Sequence, residues 1–126
     1  MNESETGQTI VVTYLLADDH EGFRRALRSH LPGDHFEVVE STNGQEAVEA
    51  YERYHPDWTL MDLEMPGMDG LTATREIVRR HGCARVVILT QHTGPVWQEA
   101  ALAAGAHAFV SKNDLSELHT ILQQQS

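Results

Sequence analysis

Near its centre the chain reads Trp58-Thr59-Leu60-Met61-Asp62-Leu63-Glu64-Met65-Pro66-Gly67-Met68-Asp69-Gly70. The apolar run that ends at Asp62 predicts a short buried β-strand, and the proline and glycines after it predict a loop. Apolar residues from Leu71 to Val78 then recur at helical spacing, which predicts an α-helix that ends before Gly82. A buried strand, a loop and a helix in this order form the building unit of a parallel α/β sheet.

The same unit recurs along the rest of the chain. Further strands are predicted over residues 10–17, 36–40, 85–90 and 108–111. Helices are predicted over residues 21–30, after a cap at Asn43, from Pro95 to Gly105, and after caps at Asp114 and Glu117. Because parallel crossovers are right-handed, this alternation predicts a flavodoxin-like (βα)5 fold, a doubly wound parallel five-stranded sheet of order 2-1-3-4-5.

Composition narrows the class of protein. The 126 residues include 19 acidic and 9 basic side chains, and a net charge of −10 argues against direct nucleic-acid binding. Cys83 is the single cysteine, which predicts no intrachain disulfide, a cytoplasmic location and a buried thiol. The eight histidines show no metal-ligand spacing, and no run approaches the ~20 apolar residues of a membrane span. The polar and acidic composition of residues 1–8 predicts a disordered tail. The length of the remaining chain predicts that residues 9–126 form one domain.

Three acids follow two of the predicted strands. Asp18 and Asp19 close the first strand and Asp62 closes the third, and these two strands are neighbours in the predicted order. The three carboxylates should therefore meet at one sheet edge, where open α/β sheets bind ligands. Their mutual repulsion requires a cation, a shifted proton or both, and Mg²⁺ is the usual ion where phosphate chemistry follows.

Two further polar residues should reach the same edge. Thr90 ends the fourth strand and Lys112 follows the fifth. A lysine neutralises a carboxylate or grips a phosphoryl oxygen, and a threonine hydroxyl donates to one. Since a carboxylate can act as the nucleophile in phosphoryl transfer, these residues together predict a site for an acyl phosphate.

These motifs together resemble the receiver domain of two-component response regulators. The resemblance rests on Asp18-Asp19, the stretch from Asp62 to Gly70, Thr90, and Phe109-Val110-Ser111-Lys112, and it spans about residues 10–122. The segment from Ala106 to Asn113 is similar to that of regulators with a LuxR-type helix-turn-helix output. The resemblance implies a phosphorylation-controlled signalling switch in a phosphorelay, with Mg²⁺ as cofactor.

The resemblance also implies a role for each acid. Asp62 would be the phosphoacceptor and a metal ligand, and Asp19 the direct Mg²⁺ ligand. Asp18 would reach the ion through water, and the backbone carbonyl of Glu64 would complete the protein's ligands.

By the same resemblance, Lys112 would pair first with Asp62 and then with the phosphoryl group. Thr90 would move to bind that group, and Phe109 would turn inward as it moves. We expect three residues to tune the lifetime of the phosphoryl group: Glu64, Gln91 and His92. Of these, His92 and Glu64 should pair across the opening of the site.

As a receiver, the protein would not be an enzyme beyond slow self-catalysed phosphotransfer and autodephosphorylation. Phosphorylation by a sensor histidine kinase would change the surface formed by helix four, strand five and helix five. Further partners would be a second copy in a phosphorylation-induced homodimer and a DNA-binding output domain outside this chain, for transcription regulation. No membrane partner is expected.

Other functions use similar residues. A phosphatase or phosphotransferase of the haloacid dehalogenase type would need a second acid two residues after the nucleophile, where Glu64 stands, but the usual following threonine and a cap domain are missing from the sequence. A phosphorylation-independent binding module normally lacks an acid, the threonine or the lysine, and all are present here. Flavin binding would need a hydroxyl-rich loop after the first strand, which the sequence does not have.

Overall fold

The computed structural model describes residues 11–124, so the predicted tail over residues 1–8 lies outside the described part. The strands are β1 (Val12–Ala17), β2 (Phe36–Ser41), β3 (Trp58–Asp62), β4 (Val86–Thr90) and β5 (Ala108–Ser111). The helices are α1 (Glu21–Arg28), α2 (Gly44–Tyr54), α3 (Gly70–Arg80), α4 (Pro95–Ala103) and α5 (Leu118–Leu122). Among these helices, none has the length and apolar character needed to cross a membrane.

The strands form one parallel sheet of order β2-β1-β3-β4-β5, which confirms the predicted fold. Every residue of β3 and β4 is buried, as expected for strands covered by helices on both faces. Successive side chains point to opposite faces, so Leu15 and Ile88 join one hydrophobic cluster while Leu16 and Leu89 join the other. Two cores of this kind hold the central strand ends rigidly, and the candidate site is built on those ends.

The boundaries of the first four helices follow the sequence signals, except that α1 and α4 each end two residues early, α4 at Ala103 and not at Gly105. The Asn43 side chain accepts a hydrogen bond from the Glu46 backbone N–H at 2.8 Å, which confirms the predicted cap of α2. Helix α1 ends at Arg28, two residues before the predicted end. The chain continues there with 3₁₀-type hydrogen bonds between residues three apart: the His30 N–H donates to the carbonyl of Leu27 at 2.9 Å.

The start of the last helix was predicted wrongly. Helix α5 begins only at Leu118, and Glu117 makes no side-chain cap bond. The Asp114 carboxylate instead accepts a hydrogen bond from the Ser116 N–H at 3.1 Å, which closes a local turn. Such side-chain turns compete with helix formation, and here the turn prevails over the cap.

The expectation of a buried Cys83 was also wrong. Its thiol is free and exposed. The residue lies with Gly82 in the turn between α3 and β4, on the surface side of the connection, and therefore contributes nothing to either hydrophobic cluster.

Candidate functional site

The carboxyl ends of β1 and β3 bring the three predicted acids together. Ala17 and Met61 are register partners, so Asp18 and Asp62 follow at the same level of the sheet. Asp18 is 1% exposed and Asp62 5% exposed, whereas Asp19 lies at the surface. One ligand atom from each acid and one from His20 all lie within 4.8 Å of one another. The predicted acidic cluster therefore exists, at the topological switch point of the sheet.

Lys112 connects two of these acids. Its ammonium nitrogen lies 2.7 Å from Asp18 Oδ2 and 3.2 Å from Asp62 Oδ1, and its side chain is only 10% exposed. The Phe23 ring lies under the same nitrogen, at 4.4 Å from the ring centroid. The predicted pairing of Lys112 with Asp62 is present, but the shorter contact is to Asp18. One cation thus offsets part of the charge of two buried carboxylates.

The charged form of the Asp62 carboxyl group remains destabilised by its surroundings, despite the Lys112 ammonium. Burial and then the neighbouring charge of Asp18 raise the pKa of its carboxyl group above the ordinary value, and the charge of Lys112 and its hydrogen bond oppose that rise. The Glu64 backbone N–H also donates to Asp62 Oδ1, at 3.3 Å. A desolvated carboxylate with one close lysine is under-stabilised, and it would gain from a further cation or from covalent modification.

The loop after β3 is locked by two close backbone approaches. The Gly70 N–H bonds the carbonyl of Leu63 at 2.9 Å, and the Gly44 N–H bonds the carbonyl of Met68 at 3.1 Å. A Cβ atom at Gly70 would stand 2.0 Å from the carbonyl oxygen of Asp62, and one at Gly44 would stand 2.2 Å from that of Met68. Only glycine fits at these positions, and the tight loop holds Asp62 in place.

The predicted switch residues lie on the two strands beyond Asp62. Thr90 is 1% exposed, and its hydroxyl oxygen accepts a hydrogen bond from the His92 backbone N–H at 3.0 Å. Lys112 is tied to the same strand, since its backbone N–H bonds the Thr90 carbonyl at 2.8 Å. Phe109 is partly buried and packs against the cluster that contains Ile88.

The rim of the site contains the predicted tuning residues. His92 Nε2 lies 2.7 Å from Glu64 Oε2, so the expected pairing across the opening is present. On its other side the His92 ring stacks on Trp97 of α4, with centroids 4.4 Å apart and planes at 19°. Glu64 and Gln91 also line a pocket of about 510 Å³, together with Asp19, His20, Phe23, Asp62, Met65, Pro66 and Lys112.

Residues 14–123 match the family model of the response regulator receiver domain. The chain belongs to this family. Among curated relatives, the transcriptional regulatory protein DegU of Brevibacillus brevis is 34% identical over 114 residues, which cover 89% of this chain and 48% of that protein. The chemotaxis protein CheY of Halobacterium salinarum is 39% identical over 99 residues, covering 78% of this chain and 82% of that one.

A solved structure supports the same family. The LuxR-family two-component response regulator from Aurantimonas sp. SI85-9A1 is 33% identical, with a TM-score of 0.77 over 90% of this chain and 86% of that chain. This receiver domain is therefore similar both to LuxR-family regulators and to CheY. It spans about half the length of DegU and most of the length of CheY.

The donor set of this receiver domain suits Mg²⁺. Asp18, Asp19 and Asp62 offer hard carboxylate oxygens, and an ion of this kind is bound through one or two carboxylates with several waters retained. The fit is supported by the raised pKa of Asp62, since a buried carboxylate beside a second acid is where a divalent cation relieves the most repulsion.

Two residues of the site were missed in the sequence. His20 directly follows the acid pair and its Nδ1 lies 3.1 Å from Asp19 Oδ1, although the histidines show no regular metal-ligand spacing. Phe23, which lies in the helix predicted over residues 21–30, packs against one hydrophobic cluster and also supports the Lys112 ammonium. The position of His20, directly after two acids at a strand end, is the signal in the sequence that could have identified it as a site residue.

Proposed function

We propose that this receiver domain is a phosphorylation-controlled switch that accepts a phosphoryl group from a sensor histidine kinase onto Asp62. The observation that carries the proposal is the position of this carboxylate: it lines an open pocket, beside two other acids, with Lys112 Nζ 3.2 Å away. A phosphohistidine side chain of a docked kinase could enter such a pocket, while the buried walls limit the access of water.

Phosphoryl transfer follows from this arrangement. A carboxylate oxygen of Asp62 attacks the phosphorus atom of the phosphohistidine. A phosphorus–oxygen bond to Asp62 forms as the phosphorus–nitrogen bond breaks, and the imidazole nitrogen of the kinase leaves with the electron pair. Lys112, which lies close to both Asp18 and Asp62, would follow the charge onto the phosphoryl oxygens.

We propose that Mg²⁺ is held by the side chains of Asp19 and Asp62 and by the backbone carbonyl of Glu64, with Asp18 reaching it through water. When bound, the ion would supply positive charge that offsets the negative charge on the transferred phosphoryl group. Asp18 and Asp19 would orient the donor group by fixing the ion, and Asp62 would keep one oxygen free for attack.

The conformational response would begin at Thr90. Its hydroxyl oxygen accepts the His92 N–H, and after phosphorylation the side chain would move to donate to a phosphoryl oxygen, out of reach of that N–H. The vacated contact would shift the loop after β4, and Phe109 would turn into the space beside Thr90. Because α4 follows this loop and β5 carries Phe109, the surface formed by α4, β5 and α5 would change.

Further features of the function are part of this proposal. The domain would comprise residues 9–126, act in the cytoplasm, and dimerise with a second copy on phosphorylation. An output domain that binds DNA would lie outside this chain, which is supported by the similarity to DegU, named a transcriptional regulatory protein, and to a LuxR-family regulator. The domain itself would be no enzyme beyond slow self-catalysed phosphotransfer and autodephosphorylation.

Transfer from a kinase separates this function from the alternatives. A histidine kinase carrying labelled phosphate on its histidine should pass the label to the wild-type chain, at most one phosphoryl group per chain. A phosphatase of the haloacid dehalogenase type would instead release phosphate from esters over many turnovers, and a phosphorylation-independent module would take up no label.

A further inference from the structure

His20 stands where a metal ligand would stand. Its Nδ1 atom lies 3.1 Å from Asp19 Oδ1 and 3.4 Å from Asp18 Oδ1. Ligand atoms bound at about 2.0–2.2 Å to one ion are separated by about 3.0–3.4 Å, so the distance between His20 Nδ1 and Asp19 Oδ1 matches neighbouring positions around a single cation. Asp62 completes the group within 4.8 Å.

The backbone fixes this arrangement. The His20 backbone N–H donates to Asp18 Oδ1 at 2.8 Å, and Asp18 is itself buried and close to Lys112. His20 also occupies the residue before α1, where its side chain makes no capping bond to the helix. Its imidazole is therefore not engaged in holding the helix, and it is 72% exposed at the mouth of the pocket.

We propose, building on the magnesium site of the proposed function, that His20 Nδ1 is a fourth protein ligand, beside Asp19, Asp62 and the Glu64 carbonyl, and that it strengthens the binding of divalent first-row transition ions relative to Mg²⁺. Imidazole nitrogen is a preferred ligand of Co²⁺, Ni²⁺ and Zn²⁺, whereas Mg²⁺ prefers oxygen and retains its waters. The site thus combines two carboxylates and one backbone carbonyl with one nitrogen donor. Mg²⁺ uses the oxygens alone, and a transition ion uses His20 as well.

Cobalt(II) is the probe that distinguishes the two modes. Calorimetric titration of the wild-type chain and of His20→Ala with Co²⁺ should show at least about a tenfold loss of affinity in the variant, the lower limit seen when even an outer partner of a metal ligand is removed. Titration with Mg²⁺ should give affinities within about twofold of each other in the same two proteins. Nuclear magnetic resonance of the Co²⁺ form should show one strongly shifted imidazole N–H signal, absent in His20→Ala.

A control variant tests another place where cobalt could bind, because two imidazoles come together there. His55 and His81 have ring centroids 5.4 Å apart, and His81 Nε2 lies 2.9 Å from Glu52 Oε1. His81→Ala should leave both the Co²⁺ affinity and the shifted signal of the wild-type chain unchanged. Loss of the signal in this variant would move the cobalt ion to the His55–His81 pair and overturn the proposal.

The remaining outcomes separate this inference from the function on which it rests. Equal Co²⁺ affinity in wild type and His20→Ala, with Mg²⁺ binding intact, would overturn the role of His20 and leave the magnesium site standing. Failure of the wild-type chain to bind either ion would overturn both. Asp19→Ala should abolish the binding of both ions, because this acid is shared by the two modes.

Discussion

His92 Nε2 lies 2.7 Å from Glu64 Oε2, and this contact joins the loop after β4 to the loop after β3 beside the pocket that Glu64 and Gln91 line. We expect water that attacks a phosphorylated Asp62 to enter through this pocket, next to the Glu64 side chain. The stack of His92 on Trp97 extends the same connection to α4. Two side chains thus link the entrance of the site to the helix that begins the responsive surface.

Opening this rim should shorten the life of the phosphoryl group. We expect Glu64→Ala and His92→Ala each to speed dephosphorylation by up to about fivefold, because a solvent-exposed contact between a histidine and a carboxylate contributes at most about 1 kcal/mol. The double variant should be no faster than the quicker single variant, since both changes remove one contact. Decay of the phosphorylated protein, followed by mass spectrometry, measures the rates. Decay in both single variants at the wild-type rate would show that the pair does not gate water.

Trp97 should report phosphorylation optically. As Thr90 releases the His92 N–H, the stack of His92 on Trp97 should loosen and the tryptophan emission should rise. Trp58 is 2% exposed in the core and provides a constant background. Fluorescence before and after treatment with acetyl phosphate and Mg²⁺ measures the change, and Trp97→Phe should abolish it. An equal change in Trp97→Phe would assign the signal to Trp58 and contradict this route.

Replacing Asp62 by Asn should stabilise the metal-free fold. A carboxyl whose pKa is raised on folding binds more protons when folded, so Asp62 reduces stability as pH rises above its ordinary pKa of 3.8. Asp62→Asn should therefore be more stable than wild type at neutral pH and should lose this advantage in acid, where Asp62 is protonated. Lys112 keeps Asp18 as partner in the variant.

Urea unfolding with a chelator present, at neutral and acid pH, measures this difference. Equal stability of the two proteins at neutral pH would mean that Asp62 is not destabilised by its surroundings.

Glycine at position 70 should be essential for the loop. Gly70→Ala would place Cβ 2.0 Å from the Asp62 carbonyl oxygen, so we expect a loss of roughly 3 kcal/mol in the free energy of unfolding. Gly22→Ala is the matched control: Gly22 lies in α1 with nothing within 4 Å of an added Cβ, and alanine should stabilise the helix by about 0.5–1 kcal/mol. Thermal and urea unfolding test both, and equal stabilities would refute the backbone contact.

Much of the site was predictable because strand ends align in a parallel sheet. Apolar runs fixed the ends of β1 and β3, and the sheet order then brought Asp18 and Asp62 to one level. Because β1 and β3 are neighbours in the sheet, the acids that end them are neighbours in space.

Side-chain detail was not predictable in the same way. The sequence indicates that Lys112 reaches the acids, but only the folded arrangement shows that it lies closer to Asp18 than to Asp62. The start of α5 depends on the competition between a cap and the Asp114 turn, which local patterns do not resolve. His20 was missed because its nearest partners, Asp18 and Asp19, directly precede it in the chain, a pattern without helical metal-ligand spacing.

The central claim is that Asp62 receives the phosphoryl group, and one measurement tests it most directly. The intact mass of the chain is recorded after incubation with acetyl phosphate and Mg²⁺, for wild type, Asp62→Asn and Asp69→Asn. Asp69 is a matched acid, since its carboxylate only caps α3 by accepting the Thr72 N–H at 2.8 Å, and asparagine caps a helix equally well. We predict that wild type and Asp69→Asn gain the mass of one phosphoryl group and that Asp62→Asn gains none. A full phosphoryl adduct on Asp62→Asn would contradict the account.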